Sequence, residues 1–233
     1  MNSPHPDRSA HARAIFALPS DGRDPTRRAT LRTARQAAKA LATLQPGAVA
    51  LLTGPSGSGK STALTLLRRR LARQARAVVR PPAHLARRRP TIDQVGHNLD
   101  QALHVLGAAG LAEAALLPRA AGALSTGQLA RLTIAAAMDR CTPGCALIAD
   151  EFAAVLDCAT ARSLAIALAR WCRSHDVTLI VSTAHDDTLE ALRPDLLVAL
   201  PLPGERPSPP TILARAPRGA RPWPTHLLAD SPT

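Results

Sequence analysis

Apolar and polar residues alternate along this chain between short apolar runs and longer mixed stretches. Four runs have the length and composition of buried strands: Ala48–Thr53 (AVALLT), Ala146–Ala149, Val177–Ser182 (VTLIVS) and Leu196–Leu200. Each is bounded by turn residues or charges, as expected for strands covered on both faces. Val78-Val79 reads as a further short strand, stopped by Pro81-Pro82. Residues 31–44 (LRTARQAAKALATL), 61–77 and 158–175 have helical composition, and 187–192 form a short helix. Residues 91–140 read as mostly helical, with breaks at Gly107–Gly110, Pro118 and Gly122–Gly127. Strands alternating with helices predict an α/β fold with a mostly parallel sheet covered by helices. The expected division is an irregular lead over 1–30 with a short strand around Ala14–Leu18, a main domain over 31–200 with a helical subdomain at about 91–140, and an irregular Pro/Arg-rich tail over 201–233.

Composition narrows the class. The chain has 233 residues, enough for one domain or one domain with a small insertion, and 46% are apolar, which excludes global disorder. No apolar run approaches the roughly 18 residues of a membrane span, and residues near the N-terminus lack the apolar centre of a secretory signal. A cytoplasmic location is therefore expected. Cys141, Cys145, Cys158 and Cys172 include no CxxC pair, which favours reduced thiols over a zinc framework. Tyr is absent, and Phe16, Phe152, Trp171 and Trp223 are the only aromatics, which argues against stacking bases of a single strand.

The charge is unevenly placed. Lys+Arg number 29 against 17 Asp+Glu, a net of +12. Residues 1–90 carry 18 Lys/Arg against Asp7, Asp21 and Asp24, a net of +15; the remainder is at −3. Nine arginines fall within Arg68–Arg89, and no acid lies between Lys60 and Asp93. A GC-rich genome accounts for arginine over lysine but not for its confinement to one half. A run of one sign fits a phosphate-bearing partner such as nucleic acid.

The sharpest chemical signal is Gly54-Pro55-Ser56-Gly57-Ser58-Gly59-Lys60-Ser61, which matches GxxxxGK[ST] between an expected strand and an expected helix. Glycines let successive backbone N–H groups turn toward phosphate oxygens, and the following helix adds its positive end. Lys60 can reach the β/γ-phosphates, Ser61 can hold Mg²⁺, and Thr62 belongs to the same helix start. The second strand that ends in acids, Ala146–Ala149 followed by Asp150-Glu151, is expected to lie adjacent to the loop's strand. There Asp150 would bind Mg²⁺ and Glu151 would deprotonate the attacking water.

With these residues in place the chain resembles the ATP-binding cassette (ABC) ATPases of the P-loop NTPase superfamily. Leu124-Ser125-Thr126-Gly127-Gln128 is similar to the LSGGQ signature, and Arg131 to the arginine that follows it. Ala153–Asp157 resembles the D-loop, and His185 the switch histidine after a strand. The resemblance covers about residues 46–200. It implies a homodimer packed head to tail around two ATP. Ser125, Gly127 and Gln128 of one chain would face the γ-phosphate held by the other's loop, Asp157 would link the sites and His185 would contact the γ-phosphate. ATP and Mg²⁺ are the implied cofactors.

The departures from the family matter as much. Transport cassettes carry a glutamine after the strand that follows the loop helix; here the place reads Val78-Val-Arg-Pro-Pro82-Ala-His84, with Gln94 further on. No aromatic sits where adenine is usually stacked, and Phe16 is the distant candidate. Phe152 follows Glu151, where transport cassettes usually have proline. These departures favour a non-transport ATPase acting on nucleic acid through Arg68–Arg89 or on a protein partner. The run after Asp150 resembles a subgroup found alone or fused to a predicted acetyltransferase domain, which adds an acetyltransferase-type partner. The competing readings are a transporter's ATP-binding subunit, with separate membrane-spanning subunits, and an ATP-dependent dimerisation module with weak hydrolysis.

Overall fold

The computed structural model describes residues 25–183, 188–203 and 208–215. Among these, six strands form one sheet: β1 (Val49–Thr53), β2 (Val78–Val79), β3 (Ala146–Ala149), β4 (Thr178–Ser182), β5 (Leu196–Ala199) and β6 (Thr211–Ala214). Their spatial order is β2-β3-β4-β1-β5-β6. The first five run parallel and β6 pairs antiparallel with β5. The helices are α1 (Pro25–Leu41), α2 (Lys60–Arg73), α3 (Leu99–Ala108), α4 (Thr126–Met138), α5 (Cys158–Ser174) and α6 (Leu189–Leu192).

The period of two along the strands divides the core into two layers. Val49, Leu51, Leu147, Ala149, Leu179, Val181 and Leu197 point to one face, where α3 to α6 cover them. Ala50, Leu52, Ala146, Ile148, Ile180, Leu196 and Val198 point to the other, where α1 and α2 cover them. In α1 the stripe Ala34, Ala37, Ala38 and Leu41 follows the helical repeat. Its small residues let α1 lie close against α2, which buries Ala63, Leu64, Leu67 and Leu71. Leu67 is fully buried, so its truncation to alanine would cost about 2–5 kcal/mol. The segment 91–140 continues the first layer through Val105, Leu106, Leu111, Leu132 and Met138.

Three sequence expectations change. Helix α1 begins at Pro25, inside the stretch read as an irregular lead, because Pro suits a first helical turn and Ala29 is buried. The tail contributes β6, whose pairing covers the outer side of β5. And β3 is not adjacent to β1: β4 lies between them, paired with both. The strand expected around Ala14–Leu18 lies outside the described residues.

At the N-terminal edge of the strands, polar side chains staple separate elements. Asp195 Oδ2 accepts from Val49 N at 2.9 Å. The Arg76 guanidinium donates to Gly144 O at 2.9 Å, to Leu44 O at 2.8 Å and to the Thr178 hydroxyl. The loops that follow β1 and β3 lie at the other edge, where the parallel strands deliver their carboxyl ends.

Candidate functional site

The phosphate loop leaves β1 through Gly54 and enters α2 at Lys60. Its turn requires glycine. Gly54 has φ 143°, and a Cβ there would stand 2.7 Å from Leu200 O; Gly59 has φ 97°, and a Cβ would stand 2.7 Å from the Thr30 methyl. The first turn of α2 holds no acidic residue, so its free N–H groups and positive dipole end have no competing anion of their own. The Lys60 ammonium donates to Gly54 O at 2.5 Å and Pro55 O at 3.0 Å. Burial pushes its pKa down, and the charges of Asp150 and Glu151 push it back up. Asp150 and Glu151 follow β3, which is separated from β1 by β4, so they stand two strands along the same sheet edge from the loop.

The turn after β3 is held in an uncommon backbone conformation. Glu151 and Ala153 have φ of 52° and 60°, in the left-handed region that non-glycine residues rarely occupy. The Phe152 N–H donates to Ser182 O at 2.9 Å, and the Phe152 ring is buried, so the turn is bolted to the end of β4. Phenylalanine therefore anchors the acid through packing at the place where transport cassettes usually have proline. Glu151 itself is exposed, and its backbone N–H meets Asp150 Oδ1 at 3.1 Å.

The signature-like segment opens α4. Ser125 is the N-cap: Gln128 N donates to Ser125 Oγ at 3.2 Å, and Ser125 N donates to Gln128 Oε1 at 3.0 Å. The two form a reciprocal capping box. In this structure the Gln128 amide is thus used to hold the helix start rather than being presented outward. A Cβ on Gly127 would lie 3.2 Å from Leu156, so glycine lets the signature helix approach the D-loop. Arg131 reaches across to donate to Gly110 O at 2.5 Å, tying α4 to the end of α3. Asp157 caps α5 by accepting from Thr160 N at 2.9 Å, and that bond holds its carboxyl below the usual aspartate range.

Other expected positions are placed differently or lie outside the description. Gln94 donates to Ala86 O at 2.8 Å and Arg89 O at 3.2 Å, so it closes its own loop instead of approaching the phosphate loop. His84 is exposed. His185 and Phe16 lie outside the described residues. The arginines of 68–89 do not form one stripe, because Arg76 is turned inward to three acceptors.

Sequence reading missed the supports of the phosphate loop. Thr30 of α1 abuts Gly59, and Pro203 lies 3.6 Å from the Cβ position of Gly57. Thr33 Oγ1 donates to Ser208 O at 2.7 Å, so α1 and the tail meet beside the loop. No local pattern marks these contacts, since they join segments far apart in sequence, Thr33 and Ser208 by 175 residues.

No protein-family model and no curated protein matches this sequence. Solved structures do match in three dimensions. The ATP-binding cassette MJ0796, dimeric in a post-hydrolysis state with ADP and Pi, is 19% identical with a TM-score of 0.55, over 68% of this chain and 83% of that one. MJ1267, an ATP-binding cassette of an ABC transporter in its ADP conformation, is 18% identical with a TM-score of 0.51, over 66% and 77%. The fold is that of an ATP-binding cassette. Within this cassette fold the phosphate loop, the acidic turn and the capped signature helix occupy loops at the carboxyl ends of the strands or beside them. Among the described residues no helix is long and apolar enough to cross a membrane.

Proposed function

We propose that the chain is an ABC-type ATPase that closes head to tail around two ATP, opens on hydrolysis and serves a non-transport role. The observation that carries this reading is the glycine-shaped loop itself, where Gly54 and Gly59 leave no room for a Cβ and Lys60 opens a helix whose first turn holds no acid. The loop N–H groups from Gly54 to Ser61, with Thr62, cradle the phosphates, and Lys60 exchanges its two loop carbonyls for phosphate oxygens. Ser61 and Asp150 offer the hard oxygen donors that Mg²⁺ takes, the exposed hydroxyl of Ser61 standing on α2 and the half-buried carboxylate of Asp150 ending β3. Bound there, Mg²⁺ supplies charge neutralisation on the phosphates. Glu151 accepts a proton from the water that attacks the γ-phosphorus, and the bond to the bridging oxygen of ADP breaks.

From the partner chain, Ser125 and Gly127 bring a helix N-terminus to the γ-phosphate. His185 supplies a further contact and Asp157 links the two sites. MJ0796 forms a dimer with ADP and Pi, which supports the same assembly here. A transporter subunit is the competing reading because MJ1267 belongs to an ABC transporter. Against it stand Pro81-Pro82 in place of the loop glutamine, and Gln94, which is committed to carbonyls of its own loop.

The test uses two substitutions. Lys60→Ala should reduce ATP turnover at least a hundredfold. Glu151→Gln should block turnover while retaining ATP, so that light scattering shows twice the monomer mass with ATP and the monomer with ADP. Turnover unchanged by Lys60→Ala sinks the site, and Glu151→Gln that stays monomeric with ATP sinks the closed dimer.

A further inference from the structure

Helices α1 and α2, which together cover one face of the sheet, contain no acidic residue at all. Their outward positions include Arg27, Arg28, Arg32, Arg35 and Lys39 on α1, and Arg68, Arg69, Arg70 and Arg73 on α2, all exposed. Where α2 meets the sheet edge at β2 the surface is concave: a groove of about 770 Å³ is lined by Arg68, Arg69, Arg80 and Arg140 over a floor of Val78-Val79 and Pro81-Pro82. Arg76 also borders it, but all three of its donor nitrogens are spent on the protein. Arg140 anchors one wall by donating to Ala136 O at 3.0 Å and Arg80 O at 2.5 Å. Among the described residues no carboxylate pairs with Arg68, Arg69 or Arg80.

Unpaired like charges held side by side repel one another and are an electrostatic liability unless a polyanion neutralises them. Geometry then selects among polyanions. An added peptide strand is disfavoured, because β2 has only two residues and two prolines follow it. A bilayer surface is disfavoured, because binding at a lipid interface uses exposed apolar side chains as well as charge. Among the described residues the exposed large apolar side chains are Leu99, Leu103, Val155, Ile166, Leu202 and Ile212, none of them on α1, α2 or in the groove. No aromatic lines the groove, so bases have no stacking platform. What fits is a ridge of regularly spaced phosphates.

We propose that this groove and the adjoining arginine face bind the phosphate backbone of a nucleic-acid duplex, without reading its sequence. The same helix that presents its N-terminus to the phosphate loop presents Arg68 and Arg69 to the groove. Duplex binding depends on these charges and not on ATP turnover, so it can be measured apart from the ATPase reading.

The experiment is fluorescence anisotropy of the full chain with a labelled 25-base-pair DNA duplex across a salt series. Parallel titrations use phosphatidylserine vesicles and polyglutamate at equal charge. We expect the unlabelled duplex of unrelated sequence to compete equally. The triple substitution Arg68→Glu, Arg69→Glu, Arg80→Glu should weaken binding at least tenfold and lower the slope of log affinity against log salt by roughly three. Arg170→Glu, on the exposed side of α5, should leave both unchanged, and circular dichroism with thermal melting checks that each variant is folded. The proposal is overturned if no duplex binds at low salt, if the triple variant binds as tightly as the parent, or if vesicles or polyglutamate bind more tightly than the duplex.

Discussion

At the scale of single residues, the acidic turn shows how a site spends conformational energy. A non-glycine residue at a φ of 52° costs on the order of 1 kcal/mol, and Glu151 bears that cost in the turn after β3. Glu151→Gly should therefore raise stability by about 0.5–1 kcal/mol in denaturant melts while abolishing ATP turnover. A loss of stability would show that the Glu151 side chain contributes more to the fold than its backbone conformation costs. The glycines of the phosphate loop obey the opposite logic. Gly54 and Gly59 have both a positive φ and a neighbour where a Cβ would be, so the fold itself requires glycine at the places where phosphate binding is proposed. The GxxxxGK[ST] spacing made these residues legible in the sequence. Thr30, which closes against Gly59, was not legible, because its role depends on where α1 docks.

At the scale of elements, two helix starts combine an observed cap with a proposed role toward ATP. Ser125 caps α4, and the same hydroxyl belongs to the segment proposed to meet a γ-phosphate. The two roles separate on substitution. Aspartate is as good a cap as serine, so Ser125→Asp should keep stability within about 0.5 kcal/mol. Its negative charge should nonetheless prevent ATP-dependent dimerisation, measured by light scattering in the Glu151→Gln background. Dimerisation that persists would place Ser125 away from the phosphate. Asp157 caps α5, and the Thr160 N–H keeps its carboxyl ionised to lower pH than usual. A depressed carboxyl pKa contributes stability that is present at pH values above the unfolded value and is lost as pH falls through the folded one. Asp157→Asn should therefore lower the melting temperature at pH 7, and its offset should shrink at a pH low enough to protonate the parent's carboxyl as well. Equal offsets at both pH values would mean that the charge of Asp157 plays no part. The motif order gave these helix starts away in the sequence; the capping use of Gln128 was visible only in the folded chain.

At the scale of the whole molecule, charge and topology are both segregated. The face built by α1 and α2 is basic throughout, while the acids of the site sit at the carboxyl ends of the strands. The tail is part of this arrangement. Strand β6 pairs along β5, and Ser208 accepts from Thr33 of α1. A chain shortened to end at Pro203 would leave β5 as an unpaired edge, which invites association between copies. We expect a lower melting temperature and aggregation on heating, followed by light scattering. An unchanged melting temperature and a monodisperse sample would show that β6 adds nothing to the edge.

The opening alternation of apolar runs and helical stretches was enough to determine the α/β class, five of the six described strands and the phosphate loop. Those signals are local: hydrophobic period, glycine and proline placement, and motif spacing act within a few residues of one another. Strand order was beyond it. The acidic strand was expected beside the loop's strand, yet β4 separates them, because a parallel sheet is ordered by crossovers and packing rather than by nearness in sequence. The arginine cluster shows the same division. Sequence placed the positive charge in one half of the chain. Only the tertiary structure turned Arg76 inward as a staple, brought Arg140 from α4's end to the groove, and joined α1 to α2 as one acid-free face. Charge is a property of residues, but a binding surface is a property of how distant segments meet.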